Sequence, residues 1–229
     1  MENEFFEDRV DAGRKLAEHL LNYKDKGAVV LAIARGGAPV GLEVAKRIHA
    51  LFDVIVPRKI PIPWNPEAGF GAITEDGTMV LNHRMVRSLR LTPEEIEEAA
   101  NEVRKEIIRR AEAFRGGKPP LEIEGRPVIL VDDGLASGYT MLAAIESARK
   151  HGPSAVIVAV PVASGGAVRL VQPKADDFVA LIISERLPFA VADFYLHWTD
   201  LADEDVIACL KEAEKLGLRG EAATRKATS

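Results

Sequence analysis

The residues best suited to chemistry lie together in the run VILVDDGLASGYT, from Val128 to Thr140. Four apolar residues lead into two adjacent carboxylates, Asp132 and Asp133, and then into a turn of small residues. A buried strand gains nothing by ending in paired negative charge, so a ligand beyond the strand end is the reason to look for. In an open α/β sheet, ligands bind outside the carboxyl ends of the strands. The turn from Gly134 through Leu135, Ala136 and Ser137 to Gly138 then enters a helix. Backbone amides at such a turn, with the helix N-terminus behind them, make an anion site. Gly134 and Gly138 let the backbone approach closely, and the hydroxyls of Ser137 and Thr140 add donors. One turn therefore offers acceptors first and donors second. The matching ligand carries hydroxyls beside a phosphate, and a ribose 5-phosphate has that pattern.

Three other loop types place their residues differently. A Walker A loop requires Gly-Lys-Ser/Thr, whereas this chain reads Gly138-Tyr139-Thr140. A dinucleotide fingerprint puts its acidic residue about twenty positions after the glycines, not before them. A receiver-like phosphoacceptor pair has no phosphate loop behind it and needs a further strand-end Asp, which VIVAVPVAS and FVALIISE do not supply.

The elements that must hold this turn follow from periodicity. Residues from Asp8 to about Tyr23 have helical spacing, with Val10, Leu16, Leu20 and Leu21 near one face. AVVLAIA has the continuous apolar character of a strand buried on both faces. ARGGAPVG breaks it, LEVAKRIHAL is helical, and DVIVPRKI is a second strand. This alternation predicts a doubly wound, mainly parallel α/β sheet flanked by helices. The segment 60–86 is an insertion in which Glu75, Asp76 and Gly77 carry a hairpin signal. LTPEEIEEA opens a long helix with Thr92 as N-cap, Pro93 in its first turn and Glu95 completing a capping box. Ile96, Ala100, Val103, Ile107, Ala111 and Phe114 form its apolar stripe, and Gly116 and Gly117 end it. Another strand, SAVIVAVPVAS, leads to Ser164 as the cap of a short helix. DFVALIISE is the last strand, and DEDVIACLKEAEKLG is a final helix capped near Asp203. The reading is one domain over 1–229: a core over about 25–185, a small hood from the N-terminal segment and about 186–215, and a frayed tail over 218–229.

Composition narrows the class. Hydrophobic residues make up 47% and charged residues 28% of 229, ordinary values for a soluble globular chain. A net charge of −5 supplies no global basic field for nucleic acid. The apolar runs are too short to span a bilayer, and the N-terminus lacks a signal-peptide core. A single cysteine, Cys209, precludes an internal disulfide framework and reads as a buried structural thiol. The expectation is a cytoplasmic protein with neither nucleic-acid nor membrane partner.

The run VILVDDGLASGYTM resembles the phosphoribosyl-pyrophosphate motif of the type I phosphoribosyltransferases: an apolar strand, two acids, small residues, then a hydroxyl-Gly pair and Thr. Ser137 stands where Thr is common. A second match is LAIARGGAPVG, which resembles the family's pyrophosphate loop after the first core strand. The likeness extends from about Ala28 to Leu210 and is nearest to a branch whose acceptor is undefined. It implies that Asp132 and Asp133 hold the ribose hydroxyls, and that Gly134 to Thr140, Tyr139 included, hold the 5-phosphate. Arg35, Gly36 and Gly37 then bind pyrophosphate, with a cis peptide and strain expected near Ala34–Arg35. Arg58 and Lys59 face the same group, and the insertion becomes a flexible loop that closes over the substrate.

The implied reaction moves the 5-phosphoribosyl group of phosphoribosyl pyrophosphate to a nitrogenous base or similar amine, with release of pyrophosphate. Magnesium is the implied cofactor, touched indirectly by Asp132 and Asp133. Arg35 stabilises the leaving group, and Asp133 is the candidate base toward the acceptor. Phe189, Val191 and Phe194 are the candidate acceptor contacts in the hood, while His197 has no strong claim to a role. A homodimer is the family's usual state. The alternative is an inactive regulator of the same fold that senses phosphoribosyl pyrophosphate or a nucleotide.

Overall fold

Helix caps and runs of β-branched residues set the element boundaries. The computed structural model describes residues 5–220, the Glu67 side chain excepted. In chain order the first elements are α1 (Arg9–Glu18), β1 (Val29–Ile33), α2 (Gly37–Ile48) and β2 (Leu51–Ile55). Next come β3 (Arg58–Ile62), β4 (Asn65–Ile73), β5 (Met79–Leu81), α3 (His83–Leu89) and α4 (Pro93–Arg115). The rest are β6 (Pro127–Val131), α5 (Tyr139–Lys150), β7 (Ala155–Ser164), α6 (Gly165–Val171), β8 (Asp177–Ser184) and α7 (Asp203–Lys215).

The main sheet has the order β2-β1-β6-β7-β8, and every pairing in it is parallel. Counting only its own strands, this is the 2-1-3-4-5 order of doubly wound folds, whose direction of winding reverses between β1 and β6. Both faces are covered. Leu16 of α1, Ile48 of α2, Phe114 of α4 and Leu210 of α7 share one apolar cluster. Met141 and Ile145 of α5 and Val171 of α6 share the other. This double burial explains why β1 and β6 are apolar at every position or nearly so.

Several local expectations hold. Thr92 and Glu95 form the reciprocal capping box of α4, and Gly116 ends it in the left-handed conformation at φ +59°. Ser164 Oγ accepts from the Ala167 amide at the head of α6. The Thr74–Thr78 turn joins β4 to β5, with Gly77 at φ +83°.

Other expectations are corrected. DVIVPRKI is two strands in two sheets: β2 stops at Ile55, and β3 opens a separate antiparallel sheet of order β3-β4-β5. Pro57 has no N–H to continue a ladder, so the chain can leave the sheet there. Helix α2 starts at Gly37 rather than Leu42, directly out of the glycine turn. Helix α1 stops at Glu18, and a 3-10 turn over Leu21–Tyr23 completes the predicted span. The short α3, capped by Asn82, escaped periodicity because seven residues make only two turns. Leu218 and Arg219 of the tail are pinned: Leu218 O accepts from the Phe52 amide, and Arg219 is buried against Asp53. The remainder, 221–229, lies outside the described residues. Cys209 is half-buried on α7, where burial pushes its thiol up to about 11.

Candidate active site

The winding reverses between β1 and β6, and doubly wound folds place their ligand crevice at the carboxyl ends of such a pair. The chain leaves β1 through Arg35 and Gly36 into α2, and the Ala34–Arg35 peptide is cis. It leaves β6 through Asp132 and Asp133 into the turn before α5. The two turns touch. A Cβ at Gly36 would fall on the Asp133 carboxylate, and one at Gly37 would lie 2.5 Å from the Val131 carbonyl. Glycine is therefore required here for the approach of the acidic turn as well as for open amides.

Asp133 is held from three directions. Its Oδ2 accepts from Arg9 Nε at 2.8 Å, and its carbonyl accepts from Tyr195 Oη at 2.6 Å. Arg9 is only 8% exposed, donates through Nη1 to the Thr199 carbonyl, and lies 3.8 Å from the Trp198 ring centroid. The guanidinium is thus clamped between a carboxylate and an aromatic face. Asp132 Oδ1 accepts from the Asp133 amide at 2.9 Å. Burial and the adjacent Asp133 charge push the Asp132 carboxyl well above the usual range. Burial also raises Asp133, with Arg9 opposing the shift. Burial pushes the Tyr195 phenol up, with the Asp133 charge adding to it.

Beyond the acids, the turn divides into a buried and an open half. Leu135 is 1% exposed, its amide donates to the Val162 carbonyl, and its carbonyl accepts from the Ser164 amide. The Leu135 amide thus fixes the turn to β7. Ala136 and Ser137 are exposed, Ser164 Oγ donates to the Ala136 carbonyl, and Gly138 adopts φ +82°. The amides that follow, at Tyr139 and Thr140, open α5 and have no intrahelical acceptor. The Tyr139 ring packs on the α5–α6 cluster.

The predicted basic residues take different partners. Arg35 is half-exposed, with Nη1 3.6 Å from Asp203 Oδ1 at the head of α7. Arg58 forms an ion pair with Glu106 of α4. Lys59 is exposed, and its stem covers Gly69 of β4. Neighbours on a strand leave opposite faces, so Arg58 and Lys59 do not converge on one point. In the hood, Phe189 and Phe194 pair at 5.6 Å between centroids, and Val191 sits on Gly134. All three share a small cluster with Phe6, Tyr195 and Trp198, so packing accounts for part of each contact. His197 is exposed at the edge of that cluster.

Arg9, Tyr195 and Trp198 escaped the sequence reading. Arg9 lies one residue beyond the helix cap Asp8, and Trp198 lies in an irregular stretch, so neither stands in a motif. Arg110 also escaped. It binds Asp203 in a fork, Nε to Oδ2 at 3.1 Å and Nη2 to Oδ1 at 2.5 Å, yet its helix position marks it only as a solvated face.

Comparison with known proteins bears on the whole arrangement. Residues 6–197 match the family model described as the phosphoribosyl transferase domain. Provisionally named phosphoribosyl transferases from two strains of Mycobacterium tuberculosis are 42% identical over 210 residues, 92% of this chain and 47% of theirs. The chain spans about half the length of these curated relatives. The crystal structure of TT1426 from Thermus thermophilus superposes with a TM-score of 0.77 at 40% identity, covering 91% of this chain and 98% of that one. The AQ2163 protein of Aquifex aeolicus, at 14% identity and a TM-score of 0.50 over 78% of this chain and 76% of that one, shares the fold. With a strand-end acid pair, a facing glycine turn and a family match across most of its length, the chain belongs to the phosphoribosyl transferase family.

Proposed function

We propose that this chain transfers the 5-phosphoribosyl group of phosphoribosyl pyrophosphate to a nitrogen acceptor and releases pyrophosphate. The contact between the Gly36 turn and the Asp133 carboxylate carries this reading, because it sets a sugar-binding acid pair against an anion-binding turn at one crevice. Asp132 and Asp133 accept from the ribose hydroxyls. The open half of the turn, Ala136 to Thr140, donates to the 5-phosphate, with Gly134 giving room for close approach. Gly36 and Gly37 present amides to the diphosphate, and Arg35 adds fixed charge. Cleavage at C1 has oxocarbenium character, so positioning, leaving-group neutralisation and water exclusion supply most of the rate.

The carboxylate oxygens of Asp132 and Asp133 are hard donors, which fits magnesium. Among the described residues no cluster of three or more potential metal-ligating side chains occurs, so the ion would arrive largely on the diphosphate. When bound, it neutralises leaving-group charge. Asp133, fixed by Arg9 and lying against the glycine turn, takes the proton from the acceptor in this reading. Phe189 and Phe194 offer an apolar wall on the hood side.

Incubation with phosphoribosyl pyrophosphate, magnesium and a panel of purine, pyrimidine and simple amine acceptors tests the reading. Pyrophosphate release dependent on one acceptor is expected. Tight binding without release for any acceptor would instead favour a sensor of the same ligand.

A further inference from the structure

Arg35, Arg110 and Arg58 come from three separate elements and meet around two carboxylates. Asp203 Oδ1 lies 2.5 Å from Arg110 Nη2 and 3.6 Å from Arg35 Nη1, so two guanidinium groups converge on one oxygen. Glu106 Oε1 pairs with Arg58 and lies 3.9 Å from Arg110 Nη1. Each carboxylate bridges two arginines, and Arg110, 17% exposed, is common to both. Two anionic groups spaced along a row of three guanidinium groups are also what a diphosphate presents. The first arginine of the row belongs to the glycine turn already assigned to that group.

We propose that Asp203 and Glu106 are internal stand-ins for the two phosphoryl groups of the leaving diphosphate, and that Arg110 is a diphosphate-binding residue. This rests on the function proposed above. Entry of the ligand exchanges carboxylate partners for phosphoryl oxygens, so three positive charges are never left bare in the crevice. The exchange also releases the head of α7, linking occupancy of the crevice to the hood side of the molecule.

A purely structural staple between α4 and α7 makes a different prediction. Removing either partner of a staple lowers the melting temperature and leaves ligand affinity alone. Stand-ins give affinity changes of opposite sign. Calorimetric titration with magnesium pyrophosphate and with phosphoribosyl pyrophosphate should show Arg110→Gln weaker by about 10-fold, for loss of a charge-assisted contact. Asp203→Asn and Glu106→Gln should each be tighter by about 2- to 5-fold, the range of a partly exposed ion pair that no longer competes. Wild-type binding with all three variants unchanged, or with all three weakened, would overturn the stand-in role alone. Failure of the wild-type chain to bind either ligand would overturn the proposed function and this inference together.

Discussion

Two groups of carboxylates in this molecule lie against packed structure, and they are treated in opposite ways. At the hairpin side, Asp53 is fully buried, accepts from the Val54 and Leu121 amides, and faces Arg115 and Arg219. Nearby, Asp76 accepts from the Thr74 hydroxyl, the Thr78 amide and hydroxyl, and the Ser147 hydroxyl. Burial alone would raise Asp76, but these donors outweigh it and bring the carboxyl down to about 2. At the end of β6 the balance reverses. Asp132 has a like charge beside it and one donating amide, and burial raises it. A carboxylate whose partners are all supplied from within holds the fold together. One left short of donors next to an open turn is the better candidate for a ligand contact.

Breaking the satisfied side should give the largest effect. Arg115→Leu strands Asp53 and Glu75 and should cost about 3–5 kcal/mol of stability, the usual penalty for half of a buried ion pair. Chemical denaturation measures this, and a loss below about 1 kcal/mol would mean that Arg219 alone satisfies Asp53. On the other side, Asp132→Asn with Asp133→Asn should weaken phosphoribosyl pyrophosphate binding by at least about 100-fold, or about 2.7 kcal/mol. On stability the informative variant is Asp132→Asn alone, which leaves the Arg9–Asp133 pair intact, and its effect should have the opposite sign to that of Arg115→Leu. Because the folded-state value of Asp132 is raised, the native carboxyl gives up stability as pH rises through its shifted range, so Asp132→Asn should melt higher at pH 8. Retained affinity would remove the ribose assignment. The smallest effect belongs to Asp76→Asn, at about 1 kcal/mol once solvent screening is allowed for. Its folded value is depressed, so its contribution is complete above the ordinary Asp range and fades as pH falls toward 2. Wild-type and variant melting curves should converge on acidification, and a constant gap would assign the effect to packing.

Local chemistry was legible where sequence neighbours do the work. The capping box of α4, the Ser164 cap, the Asp-Gly hairpin signal and the strand-to-acid-to-glycine order of the turn after β6 all act within a few residues. The parallel sheet was legible for a related reason, since burial on both faces removes polar residues from whole segments. The clamp on the acid pair was not. Arg9 reaches Asp133 across 124 residues, and Arg110 reaches Asp203 across 93. Neither arginine sits in a pattern that a lone surface charge would not also produce. The β2–β3 break lay between these cases. Pro57 signalled it, but VIV on one side and KIPI on the other kept the apolar rhythm of a single strand.

That break at Val56 and Pro57 has a kinetic consequence. The three-stranded sheet shares no ladder with the parallel sheet among the described residues, so the two can open as separate cooperative units wherever the packing of Ile60 and Phe70 into the shared apolar cluster gives way. The Arg115–Glu75 contact at 2.8 Å and the Ser147–Asp76 hydrogen bond tie the β4–β5 turn to the rest. Amides of Ile60, Gly71 and Ala72 can therefore exchange with solvent deuterium through a local opening, while those of Val30, Ile129 and Val158 wait for global unfolding.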